Sequence, residues 1–272
     1  MASPAFRSYT QAYTTAVTSV TPTEPAGATT DDILVAFIYV ENTNPTTITP
    51  PTGWSASFNG TSLKQDMALA GQVWSLQAFW IRRGASAPSY NNFSWTGSSN
   101  VQHLTAAYSG AYNTGDPWSF HAGAKRDTSA TSAYPDVSGA TVTADERLIW
   151  AGCNYVGIGT LTQPTGHTAR HSTNGSDLAL SDVAQATAAS VSSTGADSAS
   201  NGNHASILLG LRSLAPGNPT PAVVAVSATI PTPAIPLLGP ATPSVVAVSA
   251  TIPAPTIAVR SNPTVRSAAS TG

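Results

Sequence analysis

The chain has 272 residues and a formal net charge of −2, and only 9% of its residues are charged, whereas an average globular protein has roughly 25%. Because the basic residues are scattered and form no stripe that would neutralise phosphates, nucleic-acid binding is not expected. No run of about 18 apolar residues occurs, so no membrane-spanning helix and no membrane partner are expected either.

Residues 1–29 are predicted to form an N-terminal arm or a first strand. They contain no apolar stretch of the kind that marks a secretory signal, so the protein is expected to stay in the cytoplasm where it is made. The composition nevertheless suits an extracellular surface, because Ser, Thr and Asn supply hydrogen bonds without charge. Localisation in a virus particle, assembled in the host cytoplasm and released by lysis, accounts for both features.

Residues 30–214 have the pattern of an all-β domain, in which short runs rich in Val, Ile, Tyr, Trp and Thr alternate with Gly, Pro, Asn and Ser. The clearest runs lie at residues 32–40, 73–81 and 102–109. The almost continuous apolar run at 32–40 indicates a strand with both faces covered. Strands at this spacing predict a β-sandwich or a jelly-roll-like fold. The residues expected to be buried include Leu34, Ala36, Ile149 and Leu209.

A sharp turn is predicted at residues 49–54, which read Thr-Pro-Pro-Thr-Gly-Trp. The two prolines fix φ and exclude a helix, and Gly53 allows a positive φ. Trp54 is therefore expected to return into the core.

Two similar halves, at about residues 30–120 and 140–214, are predicted within the domain. Each begins with an acidic pair before an apolar run, and each half supplies about four or five strands. Because an isolated half would leave bare sheet edges, one sandwich built from both halves is favoured over two tandem domains. The acidic pairs are Asp31 with Asp32 and Asp145 with Glu146.

Further along each half, the turn that ends at Trp54 corresponds to a Pro-Thr-Gly turn that ends at His167. His103 and His204 are placed at equivalent positions in the closing strands. Apolar neighbours surround both, so structural histidines are favoured over catalytic ones.

Residues with catalytic or metal-binding chemistry do not combine into a known motif. The acidic pairs stand at strand starts, where turn chemistry explains them better than glycosidase carboxylates do. His167 and His171 follow a turn, so a loop or a strand is favoured over a metal site. Cys153 lies in an apolar run and is expected to be buried. With no nucleophile elbow and no phosphate loop, we expect no enzyme activity, no metal and no cofactor.

Aromatic residues are concentrated in the first half, and rings on loops are candidates for stacking on sugars. Most of these rings are needed in the core, but segments 90–95 and 112–118 have the composition of loops. A glycan on the host surface is therefore a candidate ligand. The candidate contacts are Tyr90, Trp95, Tyr112 and Trp118.

The composition changes after Leu214, where a Pro-rich linker begins a tail at residues 215–272. Two nearly identical units follow, at 220–233 and 242–255, which places them 22 residues apart. Prolines bracket each Val-rich segment and limit strand growth, so each unit is expected to lie extended against a neighbouring chain and to anchor the protein. The assembly contacts are assigned to Val223, Val224, Val226, Ile230, Val245, Val246, Val248 and Ile252.

A family resemblance rests on four motifs and on the tail. The motifs are Asp-Ile-Leu-Val-Ala-Phe (32–37), Ile-Thr-Pro-Pro-Thr-Gly-Trp (48–54), Ala-Phe-Trp-Ile-Arg-Arg (78–83) and His-Leu-Thr-Ala-Ala-Tyr-Ser-Gly (103–110). Together they resemble a β-sandwich domain of virion proteins from phages that infect actinobacteria, often described as minor tail proteins. The Val-Val-Ala-Val-Ser-Ala-Thr-Ile-Pro units look like repeats that some of those proteins carry. The second half departs from the pattern, with His167 where Trp is expected.

The resemblance implies a non-enzymatic structural protein of the virion, in the tail or tail tip, anchored through its C-terminal repeats. The expected partners are other virion proteins, copies of the chain itself in a symmetric assembly, and a host glycan. Two alternatives stay open. One is a capsid decoration protein, and the other, from a different class, is a glycan-binding adhesin module.

Overall fold

The computed structural model describes residues 3–69, 71–88, 90, 92–127, 132–154, 159–172, 178–197 and 203–214. The regular elements of this part of the chain are all β-strands, as the sequence predicted, and their pairings are antiparallel. The strands are β1 (Ala5–Val20), β2 (Ile33–Asn42), β3 (Ser57–Phe58), β4 (Thr61–Ser62), β5 (Lys64–Leu69), β6 (Gln72–Arg82), β7 (Phe93–Ser109), β8 (Trp118–Arg126), β9 (Val137–Ala140), β10 (Glu146–Asn154), β11 (Leu161–Thr162), β12 (Thr168–His171), β13 (Leu178–Gln185), β14 (Ser190–Ser193), β15 (Ala196–Asp197) and β16 (His204–Leu211).

Ten of these strands form two five-stranded sheets, one from each half of the domain. Sheet I has the order β1-β7-β2-β6-β5, and sheet II has the order β8-β16-β10-β13-β12. When the five strands of each sheet are numbered along the chain, both sheets have the order 1-5-2-4-3. The same strand order therefore occurs twice in the domain.

The strand pairings divide the chain earlier than the sequence suggested. The second half was expected to begin near residue 140, but β8 pairs along β16 and belongs to sheet II. Likewise, β1 pairs along β7, so the N-terminal segment supplies an edge strand of sheet I. The division between the halves thus falls between Ser109 and Trp118.

The two sheets share one hydrophobic core in a sandwich-like arrangement. Alternate residues of β2 and β10 point into this core, because successive side chains of a strand point to opposite faces. Each fully buried Val, Leu, Ile or Phe side chain stabilises the fold by roughly 1.5–3 kcal/mol. Members of the shared core include Ile33, Val35, Phe37, Ile149, Ala151, Cys153, Ile207 and Leu209.

Each sheet is also covered on its outer face by segments of its own half. In sheet I, Leu34 and Ala36 pack beneath Trp54 and Phe93. The outer face of sheet II forms a third cluster, whose members include Tyr134, Val137, Leu148, Trp150 and Leu208. Residues 33–40 are consequently all buried, which confirms the prediction of a strand covered on both faces.

The register corrects one predicted correspondence. Ile33 and Arg147 each follow an acidic pair, and they lie opposite Tyr108 and Leu211, respectively. With Tyr108 matched to Leu211, His103 corresponds to Ser206. The prediction that His103 and His204 are equivalent was therefore wrong by two residues. A shift of two keeps every side chain on the same face, so the apolar pattern could not distinguish the two registers.

Candidate functional site

The two acidic turns have the same geometry in both halves. Asp31 and Asp145 adopt positive φ angles of 69° and 60°. The next residue in each half is a buried carboxylate that accepts a backbone N–H from three residues before. Thr29 N donates to Asp32 Oδ2 at 2.7 Å, and Thr143 N donates to Glu146 Oε1 at 2.7 Å.

A β-bulge in the first strand of each sheet supplies a further contact to these carboxylates. In β1 the register shifts between Phe6 and Ser8. In β8 it shifts between Trp118 and Phe120, which pair with Leu211 and Gly210. The residue left unpaired in the first bulge is Arg7, whose Nε lies 2.6 Å from Asp32 Oδ2. Its counterpart Ser119 donates its hydroxyl to Glu146. The carboxylates therefore fix the turns, as expected from their position.

The two spaced histidines contact different partners. His167 Nδ1 lies 3.1 Å from Ser181 Oγ, and its Nε2 lies 3.3 Å from Ser193 Oγ. Burial lowers the pKa of His167 to about 4, which favours a neutral ring at physiological pH. His171 in β12 instead lies against Tyr9, with Nδ1 at 3.5 Å from the hydroxyl. No group of three or more His, Cys, Asp or Glu in the described ranges is arranged to hold a metal ion.

A buried ionic cluster joins the sheets and was missed by the sequence analysis. The Asp182 side chain is fully buried, with Arg147 Nη1 at 2.9 Å from Oδ1 and Arg170 Nε at 2.8 Å from Oδ2. Tyr108 of sheet I donates its hydroxyl to Oδ2 at 3.3 Å, and burial raises the pKa of Tyr108. The Arg170 guanidinium also lies 4.4 Å from the centre of the Phe6 ring. With both carboxylate oxygens occupied, the cluster has a structural role.

The four aromatic candidates all pack within the domain. Trp95 is 8% exposed and Trp118 is 1% exposed, so neither presents a ring face to a glycan. Tyr90 is half-buried against Trp54, with ring centres 5.7 Å apart, and burial raises its pKa. The ring of Tyr112 is covered by the Arg212 guanidinium at 4.3 Å. Trp118 was misassigned because Gly, Asp and Pro precede it, whereas it begins β8 in the shared core.

A polar depression lies at one end of sheet I, and we call it the Asn42 groove. It consists of two adjoining parts of about 480 and 260 Å³ that share Asn42 and Thr43, and the larger part lies within the range of small-ligand sites. Its lining comprises residues 41–47 and 96–100 together with Ala16 and Gln72. Glu41 is the one charged side chain in this lining.

Hydrogen bonds hold the walls of the groove in place. Asn42 Nδ2 donates to the Thr96 carbonyl oxygen at 3.3 Å, while its Oδ1 accepts Thr43 N at 2.7 Å. Across the floor, Asn100 Nδ2 donates to Glu41 Oε2 at 3.0 Å. Gly97 has a positive φ of 88°, and a Cβ there would lie 3.3 Å from Asn42 Nδ2. The lining is therefore built from interlocked amide and hydroxyl groups.

One hydroxyl of the lining is not satisfied by the protein. Ser99 is 4% exposed, and its Oγ is buried without a hydrogen-bond partner among the residues that the structure describes. Buried hydroxyls are rarely left unpaired. A β-bulge in β1 lies beside it, with Ala16 at a positive φ of 55°, and such bulges often adjoin functional sites.

The proposed assembly contacts of the tail fall at residues 223–252, outside the described residues. No helix that could cross a membrane is found in the described part of the chain. Comparisons with models of known families, with curated proteins and with solved structures found no match for this chain.

Proposed function

We propose that this chain is a non-enzymatic structural protein of a phage virion, most simply a tail or tail-tip component. The observation that carries the proposal is the combination of a charge-poor β domain with two nearly identical Val-rich units 22 residues apart in the tail. Such a combination would allow a virion to display the β domain while the repeats anchor the chain.

The domain has the properties of a rigid display unit. The outer face of each sheet is covered by its own half, the inner faces pack against each other, and a buried ionic cluster joins the sheets at Asp182. We propose that the whole is a β-sandwich built from two similar halves, since strand order, acidic turns and bulges all repeat. Its weakly charged surface suits dense packing in a particle.

The tail has the sequence of an anchor. Each unit is apolar, bracketed by prolines and too short to form a core alone. The near identity of the two units is expected if they meet equivalent surfaces, as in a symmetric assembly of copies and other virion proteins.

The anchoring role is tested in full-length chains by placing a charge in both repeats. Val224→Asp combined with Val246→Asp is expected to abolish incorporation into particles, measured as copies per purified virion. The matched control, Ser227→Asp with Ser249→Asp, places the same charges at polar positions of each unit. It is expected to be incorporated in more copies per virion than the valine variant. Normal occupancy of the valine variant would contradict anchoring through the repeats.

Copy number in the wild-type particle separates the leading proposal from a capsid decoration protein. A decoration protein is present around the whole shell, whereas a tail-tip component is present in a few copies. The remaining candidate, a glycan-binding adhesin module, is favoured by the Asn42 groove and is compatible with either location.

A further inference from the structure

We infer that the Asn42 groove is a binding site for a neutral saccharide. The inference deepens the proposed function by giving the displayed domain a host-surface ligand. Binding itself is independent of the virion, so it can be tested with the purified full-length chain.

The chemistry of the lining selects this ligand class. Amides and hydroxyls offer both donors and acceptors, which matches the hydroxyl groups of a sugar. An anionic ligand meets no Lys or Arg in the lining and faces the Glu41 carboxylate. A single carboxylate is too few for a metal ion, and Ala16 and Pro45 alone are too little apolar surface for a hydrophobic ligand.

Unsatisfied polar atoms indicate where the ligand would bind. The Ser99 side chain lines this end of the groove, and its hydroxyl has no protein partner in the described part of the chain. Its oxygen is shielded from solvent, so a sugar completes this hydrogen bond only after a small opening of the groove. Nearby, Glu41 uses Oε2 to accept the Asn100 amide, which leaves Oε1 for a sugar hydroxyl. At this end of the groove Glu41 therefore offers an acceptor, while Ser99, the neighbour of its strand partner Asn100, lies on the opposite face of the sheet.

The groove is also preorganised. Backbone hydrogen bonds of 2.8 and 3.0 Å pair Thr49 with Ser94 at the far end of the loop. In the middle of the loop, Thr46 N donates to Ser75 Oγ at 2.9 Å, and the Thr46 carbonyl oxygen accepts a hydrogen bond from Gln77 Nε2 at 2.6 Å. Binding then requires little ordering of the loop, which preserves affinity.

The site differs from the aromatic contacts predicted from the sequence. No aromatic ring belongs to its lining, so recognition depends on hydrogen bonds and the affinity for one sugar is expected to be on the order of 1 mM. Display of several copies on one particle would raise the avidity by orders of magnitude.

The ligand class is tested by recording amide chemical shifts of the labelled full-length chain during titration with saccharides. The neutral probes are glucose, galactose, mannose, arabinose and N-acetylglucosamine at up to about 50 mM, and the anionic probes are glucuronate and glucose 6-phosphate. At least one neutral sugar is expected to shift the amides of residues 41–47 and 96–100. The anionic probes are expected to bind at least about fivefold more weakly.

The location is tested with variants at exposed positions. Ser98→Trp fills the groove and is expected to abolish the shifts, while Thr96→Val removes one hydroxyl and is expected to weaken binding about threefold to tenfold. The matched control is Thr168→Val, the same change at an exposed position of sheet II, which should leave binding unchanged.

Three results would overturn the inference. They are no shifts in the groove with any neutral probe, equal or tighter binding of the anionic probes, and full binding by the Ser98→Trp variant. Each would leave the incorporation test of the tail unaffected. Conversely, saccharide binding by a chain that no particle incorporates would favour a free adhesin module.

Discussion

Sheet I and sheet II have the same strand order, but one corresponding position holds an aromatic side chain in sheet I and a charged side chain in sheet II. Ser55 pairs with Trp80 in sheet I, and Thr168 pairs with Asp182 in sheet II. The Trp80 indole packs against the shared core, and its Nε1 donates to the Ser57 carbonyl oxygen at 2.7 Å. Asp182 instead places a fully buried carboxylate at the same point of the frame.

The difference shows that the same strand pairing accommodates an indole or a carboxylate at this position. An indole satisfies its single donor locally and buries a large apolar area. The buried carboxylate of Asp182 is instead paired with two guanidinium groups, from Arg147 and Arg170, which offset its desolvation. At this position sheet II is therefore stabilised by a group of mutually dependent charges, whereas sheet I is stabilised by the single indole ring of Trp80.

The largest effect is expected from removing the charge that this set surrounds. Asp182→Asn leaves two partly buried guanidinium groups without their counter-charge and is expected to lower the free energy of unfolding by about 3–5 kcal/mol. Urea denaturation measures the change. The control is Lys125→Gln, which breaks an exposed ion pair of 2.7 Å with Asp127 and should cost less than about 1 kcal/mol. Equal effects of the two variants would contradict a special role for the cluster.

A second comparison concerns how closely the neighbouring strand packs against the closing strand, β7 of sheet I or β16 of sheet II. Gly210 of sheet II corresponds to Ala107 of sheet I, and a Cβ at Gly210 would clash with Ser119 Oγ and would lie 2.5 Å from Cε1 of Phe120. Gly210→Ala is therefore expected to destabilise the domain by about 1–3 kcal/mol through overpacking. The converse change, Ala107→Gly, should cost about 0.5–1 kcal/mol through backbone entropy. Thermal unfolding of both variants provides the test, and a neutral Gly210→Ala would show that Phe120 can move aside.

The smallest effect is the pH dependence contributed by two largely buried histidines, His103 in β7 and His167 before β12. Burial lowers the pKa of His103 and of His167 to about 4, below the value of about 6.5 in an unfolded chain. The unfolded chain therefore binds more protons between these values, and stability falls as the pH decreases from about 6.5 toward 4. These pKa values correspond to about 2 kcal/mol between pH 7 and pH 4.5, and because the His167 ring is partly exposed we expect His167→Gln to remove about 1 kcal/mol of this fall. Unfolding free energies at pH 7 and pH 4.5 measure it, and an unchanged slope would contradict the prediction.

The sequence predicted the features that depend on local pattern. The apolar run at 33–40, the turn before Trp54, the buried Cys153 and the acidic turns are each encoded within a few neighbouring residues, and the structure confirms them. The Trp54 N–H accordingly bonds the Pro51 carbonyl oxygen at 3.1 Å.

Features that depend on register or on distant segments were not predictable. Arg147, Arg170 and Asp182 lie on three strands, and only the pairing of those strands brings them together. The Asn42 groove likewise combines residues from β1, β2, β6 and β7, and its Asn, Ser and Thr look like ordinary turn residues in the sequence. Composition identified a polar surface but not the place where it becomes concave.

The separation of the strands into two sheets also has a consequence during synthesis on the ribosome. The strands of sheet I all lie within residues 5–109 and those of sheet II within 118–211, so the first sheet is complete about 100 residues before its partner. At translation rates of about 5–20 residues per second, its inner face waits roughly 5–20 s for the second sheet. During that interval Ile33, Val35 and Phe37 are exposed to other nascent chains. The chain is therefore most prone to aggregate during this interval, before sheet II covers these side chains.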